Sequence, residues 1–191
     1  MTSWRMFCAV ELPEEVRARL QQHIATLRKE IPDAAASWSR VENIHLTLKF
    51  FGNVTVDRIP GISAAAERAV SGIAPFTIDV GNTGVFPRPS RAQVLWIGVS
   101  DPSRQLSALQ HQVETECATE GFPKEDRAYR PHLTIARLRK PESARRLADA
   151  HLNLDFPSIA VPLHKLILFR SELSSKGSRY TPISHHHFSN P

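Results

Sequence analysis

His45-Leu46-Thr47-Leu48 returns later in the chain as His132-Leu133-Thr134-Ile135, and this pair of His-x-Thr-aliphatic stretches decides how the rest is read. A strand repeats every two residues, so in each copy the histidine and threonine share one face while the two aliphatic residues enter a core. One copy alone would be an ordinary half-exposed strand, since threonine favours strands and histidine tolerates them. Nine histidines and ten threonines in 191 residues give about half a His-x-Thr by chance. Two copies that also agree in the intervening leucine and the following aliphatic therefore point to a site. Two imidazoles can divide the proton transfers of a phosphodiester cleavage as base and acid, without a metal. Two hydroxyls one pleat away can hold the non-bridging oxygens as charge grows there.

Working outward from the first copy, Trp38 to Val41 leads into a strand over Ile44 to Phe51 that ends at a Gly52-Asn53 turn. Before it, Arg5 to Leu12 reads as a strand, and Pro13 as the first residue of a helix reaching about Glu30. Val16, Leu20, Ile24 and Leu27 form that helix's apolar stripe, Pro32 stops it, and His23 falls on its flank. After it come an Ala-rich helix, about Ser63 to Ser71, and a strand, Phe76 to Val80. Gly81, Gly84, Pro87 and Pro89 then mark a loop around Phe86 and Arg88, a rim for a cleft.

Around the second copy, Gln93 to Val99 is an apolar strand containing Trp96. Asp101 or Ser103 caps a helix to about Glu120, ended by Gly121 and Pro123. A basic loop, Lys124 to Arg130, delivers the chain to the motif strand Pro131 to Arg137, and Pro141-Glu142 opens a helix ending near Leu152. Val161 to Leu173 and Tyr180 to Ile183 close the chain as strands, with Ser174 to Ser178 as their turn. Each half is thus strand, helix, motif strand, helix and further strands. This order predicts an α+β fold in which two pseudo-symmetric lobes of antiparallel sheet plus helices pair around a central cleft, as one domain over residues 1–191.

Composition limits the alternatives. Hydrophobic residues at 41% and charged residues at 23% are globular values. No apolar run approaches a membrane span, and the first residues lack a signal peptide's apolar stretch, so a cytoplasmic location is expected. A formal charge of +5 favours a polyanionic partner. Cys8 and Cys117 lack metal or redox spacing and are expected to be buried thiols.

No metal or cofactor is assigned. His185, His186 and His187 alternate in direction along an extended segment and read as a solvated tail, and His111, His151 and His164 stand isolated. Four residues are candidates for binding substrate. Arg130 shares the His132 face by parity, whereas Arg137 falls on the opposite face unless the strand bends. Phe51 and Phe86 could stack on a base, with core packing the plainer role for Phe51. A monomer is the default expectation.

Taken together, Arg5-x-Phe7-x-Ala9-x-x-Leu12-Pro13, Asn43 to Gly52, Val94-Leu95-Trp96, Arg130 to Arg137 and Ser171-x-Leu173-x-x-x-Gly177-x-x-Tyr180 resemble the two-histidine phosphoesterases. Within them the chain is most similar to the LigT-like RNA 2',3'-cyclic phosphodiesterases, also called 2'-5' RNA ligases. Phe51 stands where that family often has leucine. The resemblance implies a bilobal fold with both motif strands lining the cleft, and hydrolysis of a terminal 2',3'-cyclic phosphate to a 2'-phosphate. It casts His45 as proton donor to the leaving 3'-oxygen, His132 as the base that deprotonates water, and Thr47 and Thr134 as phosphate holders. Run backwards on an RNA hydroxyl, the same groups would form a 2'-5' linkage. The alternatives are a phosphodiesterase acting on small cyclic phosphates or 2'-5' oligonucleotides, and an RNA-binding module without chemistry.

Overall fold

Alternating apolar residues and helical stripes fold into β1 (Ser3–Val10), α1 (Glu14–Glu30), β2 (Ala36–Trp38), β3 (Leu46–Thr55), α2 (Ile59–Val70), β4 (Phe76–Phe86), β5 (Val94–Ser100), α3 (Gln105–Thr119), β6 (His132–Leu138), α4 (Pro141–Asn153), β7 (Ile159–Leu163), β8 (Lys165–Ser174) and β9 (Gly177–His187). The structure is a computed structural model and describes residues 2–139, 141–174 and 177–189. Two antiparallel sheets result, one ordered β3-β1-β8-β9 and the other β2-β6-β5-β4-β7. Helices α2 and α3 pack on the first sheet, whereas α4 packs on the second with α1 beside it. This is the expected α+β architecture of two lobes, each carrying one motif strand.

The lobes exchange segments. β1 lies in the first sheet but the helix that follows it, α1, joins the second lobe; β5 lies in the second sheet and its helix, α3, joins the first. The stripe Val16, Leu20, Ile24 and Leu27 is buried as predicted, and so are Met6, Cys8 and Val10 on the helix side of β1. The opposite face of the first sheet carries a small separate cluster, Phe7, Ala9, Ile167 and Phe169, with Tyr180 against it. Both cysteines are buried free thiols, and burial pushes Cys117 up to about 12.

Several boundaries differ from expectation for identifiable reasons. Gly81 and Gly84 do not open a loop, because β4 runs through them to Phe86. A Cβ on Gly84 would stand 2.0 Å from the Trp96 ring, and one on Gly81 would stand 2.8 Å from the Ser158 Cα, so these glycines mark close approach. Gly52 likewise sits inside β3, at φ +72 in a bulge rather than a turn. Helix α2 begins at Ile59 because Pro60 suits a first turn. Asp101 does hold the start of α3, accepting from the Leu106 and Ser107 amides at 3.2 and 2.8 Å. The apolar run Val161 to Leu173 is two strands of different sheets, β7 and β8, and β9 continues to His187. Ser175 and Lys176 of the expected turn lie outside the described residues.

Three histidines read as surface groups are in fact buried. His23 on α1 and His151 on α4 are 5% and 0% exposed and bond to each other at 3.0 Å. His151 Nε2 donates to the carbonyls of Gly84 and Trp96, which leaves Nδ1 to accept from His23. His186 turns inward from β9 to Glu67 on α2 at 2.6 Å and to Ser184 at 2.9 Å, while His185 and His187 are exposed. The expected solvated tail is therefore a strand tied to a helix. No helix among the described residues is long and apolar enough to cross a membrane.

Candidate active site

Each motif strand bulges at the fourth residue of its motif. Thr47 pairs with Ala9 and Lys49 with Cys8, which leaves Leu48 without a partner on β1; Thr134 pairs with Trp96 and Ala136 with Leu95, which leaves Ile135 without one on β5. A bulge resets parity, so two successive residues face the core: Leu48 and Lys49 in one lobe, Ile135 and Ala136 in the other. The next residue then returns to the face of the histidine and threonine. In the second lobe that residue is Arg137, and in the first it is Phe50.

This settles one expectation and corrects another. Arg137 lies on the His132 face because the strand bends, and it is exposed there. Phe51 points the other way, packing against Phe122 and the core, so its neighbour Phe50, 50% exposed with the Arg5 guanidinium 4.5 Å above its ring, takes the position on the site face. The buried Lys49 pairs with Glu114 of α3 and donates to the Pro123 carbonyl at 2.8 Å, anchoring β3 from beneath.

The two imidazoles are held alike. His45 Nδ1 donates to the Asn43 carbonyl and His132 Nδ1 to the Arg130 carbonyl, each at 2.7 Å and each two residues back. Both rings therefore leave Nε2 to face outward. His45 stacks on Phe7 at 4.6 Å with Tyr180 at its edge, 5.1 Å away. His132 meets the edge of Phe86 at 4.9 Å, and Trp96 lies 6.5 Å off. Phe86 thus touches the second histidine, and Arg130, exposed in its side chain, orients it through its backbone. Burial lowers the His45 pKa, the Asn43 carbonyl works against this, and the nearby Arg17 charge lowers it further. Arg17 also clasps the carbonyls of Leu12, Val41 and Glu42, which fixes the short 3-10 turn that delivers His45.

Reciprocal bonds join the motif strands. Ser39, on the approach to the first motif, donates to the Thr134 carbonyl at 2.9 Å, and its amide reaches the Ile135 carbonyl at 2.9 Å. Tyr129, on the approach to the second, donates to the Thr47 carbonyl at 3.2 Å. Burial pushes the Tyr129 phenol upward, so it remains a donor. β3 and β6 approach within 8 Å between Cα atoms. Sequence reasoning missed Arg17, Ser39 and Tyr129, because nothing local marks a side chain whose partner lies in the other lobe. Phe7 and Tyr180 stood within the quoted family stretches but carried no assigned role.

The residues 12–174 match the model of the 2'-5' RNA ligase superfamily. The chain belongs to that superfamily. It is 34% identical to the RNA 2',3'-cyclic phosphodiesterase of Methanothermobacter thermautotrophicus over 93% of this chain and 95% of that one. Its identity to the protein of the same name from Thermotoga maritima is 32%, over 92% and 91%. The crystal structure of Escherichia coli LigT in apo form superposes with a TM-score of 0.75 at 25% identity, covering both chains fully. In this superfamily member the two histidines and two threonines stand on motif strands of different sheets, tied to each other through Ser39 and Tyr129.

Proposed function

We propose that this protein hydrolyses the 2',3'-cyclic phosphate at an RNA end to a 2'-phosphate. The observation that carries this reading is the pair of equivalent, bulged His-x-Thr strands whose approaches are bonded across to one another. The relatives named RNA 2',3'-cyclic phosphodiesterase support the substrate class.

In this mechanism water attacks phosphorus while His132 Nε2 takes its proton, the P–O3' bond breaks, and His45 gives a proton from Nε2 to the 3'-oxygen. The Thr47 and Thr134 hydroxyls hold the non-bridging oxygens as the pentacoordinate centre forms. Arg137 adds a cation suited to phosphate oxygens. Arg130 supplies charge at the mouth, and Phe50 and Phe86 supply aromatic edges and faces for the nucleoside. Burial disfavours the charged form of His45, and the negative charge of bound phosphate favours the proton that its acid role requires.

The test is incubation with a short RNA bearing a 2',3'-cyclic phosphate in the presence of EDTA. The expected product carries only a 2'-phosphate, at an undiminished rate. A 3'-phosphate product, or activity abolished by the chelator, contradicts the proposal.

A further inference from the structure

The first sheet shows Phe7 and Phe169 to His45 on one face and packs α2 on the other, and it is on this second face that another line of polar side chains forms. β9 bulges at Ile183, which has no partner on β8. Ser184 and His186 therefore sit opposite the buried Leu168 and Leu166, on the side of α2. There the Glu67 carboxylate of α2 lies 2.6 Å from His186 Nδ1, and the Ser184 hydroxyl lies 2.9 Å from His186 Nε2. The Ser63 hydroxyl, one turn earlier on α2, donates to Ser184 Oγ at 3.0 Å. His186 is 4% exposed, whereas Ser184 is half-buried on the edge strand of its sheet and can be reached from solvent.

The direction of each proton follows from the partners. A carboxylate only accepts, so Nδ1 carries the ring proton and Nε2 offers a lone pair. Ser184 already accepts from Ser63, which leaves its own proton to point at Nε2. The line thus donates one way throughout, from Ser63 to Ser184 to His186 to Glu67. A hydroxyl on the free imidazole nitrogen, with the other nitrogen held by a carboxylate, is the arrangement that activates a serine nucleophile. Tying β9 to α2 would need only His186 and Glu67, and the hydroxyl on Nε2 adds a reactive group to that tie.

We propose that Ser184 is the nucleophile of a second site, with His186 as its base and Glu67 orienting the imidazole, and that the site takes activated acyl esters. Ser63 is the one member of the line that can turn a donor to the carbonyl oxygen, so the substrates that fit are those needing least help, esters with a stable phenolate as leaving group. Ser184 Oγ bonds to the acyl carbon while its proton passes to His186 Nε2. The bond to the leaving oxygen then breaks, and that oxygen takes the proton. Water attacks the acyl-serine, gives a proton to His186, and the bond to Oγ breaks as Ser184 recovers a proton. One ester and one water become one acid and one phenol.

The probe is a biotinylated alkyl fluorophosphonate, which phosphonylates activated serines with loss of fluoride. On the wild-type protein we expect about one label per chain, located by mass spectrometry on Ser184, and a burst of phenolate from 4-nitrophenyl acetate. Ser184→Ala should abolish both, and His186→Gln should slow both by about a hundredfold or more. Glu67→Gln should slow them only a few-fold, because this carboxylate is 68% exposed. Hydrolysis of a cyclic-phosphate RNA should be unchanged in all three variants, and unfolding midpoints show which of them have folded. If His186→Gln does not fold, Glu67→Gln at its exposed position carries the test. An unlabelled wild-type protein overturns the proposal, as does a label on any other residue or a labelling rate that the folded His186 and Glu67 variants leave unaltered. A label lost in His45→Ala would place the reaction in the motif cleft and overturns it too.

Discussion

The lobe carrying His45 and the lobe carrying His132 build the same device from different materials. Both use a one-residue bulge after the motif, a carbonyl two residues back to set the imidazole, and an aromatic contact. They differ in what fills the positions that the bulge creates. The first lobe buries Lys49 on Glu114 and presents Phe50; the second buries Ala136 and presents Arg137. The first stacks its histidine on a phenylalanine face and lowers its pKa by burial, whereas the second has a groove beside its histidine. Backbone geometry is thus the shared part, and side-chain chemistry is where the two lobes differ.

The largest effects should come from the shared part. His45→Ala and His132→Ala are each expected to lower kcat/KM for a cyclic-phosphate RNA by about a hundredfold or more. If one variant retains most of the activity, the lobes are not equivalent partners. Next comes the buried pair found only in the first lobe. Lys49→Met strands the Glu114 carboxylate and should cost about 3–5 kcal/mol in denaturant unfolding. A loss below about 1 kcal/mol would show that β3 needs no anchor beneath it.

The second lobe has its own buried device. Burial, then the neighbouring His151, lowers the His23 pKa from 6.5 to about 4. As pH falls through that window the unfolded chain takes the proton first, so stability declines, by on the order of 3 kcal/mol in all. His23→Gln should flatten the dependence of unfolding free energy on pH between 6.5 and 4, and an unaltered slope would assign it to other groups. Smaller still are the bonds joining the lobes. Tyr129→Phe and Ser39→Ala should each cost about 1 kcal/mol of stability and lower turnover more than they raise KM.

The pH profile sharpens the comparison without a mutation. With His45 as the proposed acid, kcat/KM should fall as pH rises through its lowered pKa. Bound phosphate favours the charged imidazole, so the same limb in kcat should lie at higher pH. A limb at the same pH in both parameters would remove His45 from the acid role.

The sequence made the motif pairs legible because their pattern is local: alternation alone puts His45 with Thr47 and His132 with Thr134. The order of elements likewise exposed the two lobes. What stayed hidden depends on partners. A bulge exists only relative to the neighbouring strand, so parity read from one strand left the face of Arg137 open and chose Phe51 over Phe50. Gly81 and Gly84 looked like breaks because the indole and backbone pressing on them come from elsewhere in the chain. His23, His151 and His186 looked solvent-exposed because their partners lie on distant elements.

The central claim is that His45 and His132 address one phosphate. Histidine ring proton signals, assigned by single substitution and followed by NMR while inorganic phosphate is titrated into the wild-type protein, test it directly. The account predicts that both imidazoles shift together along one saturation curve, with a single dissociation constant. Movement of only one, or two curves with different midpoints, would place the rings at separate sites and contradict it.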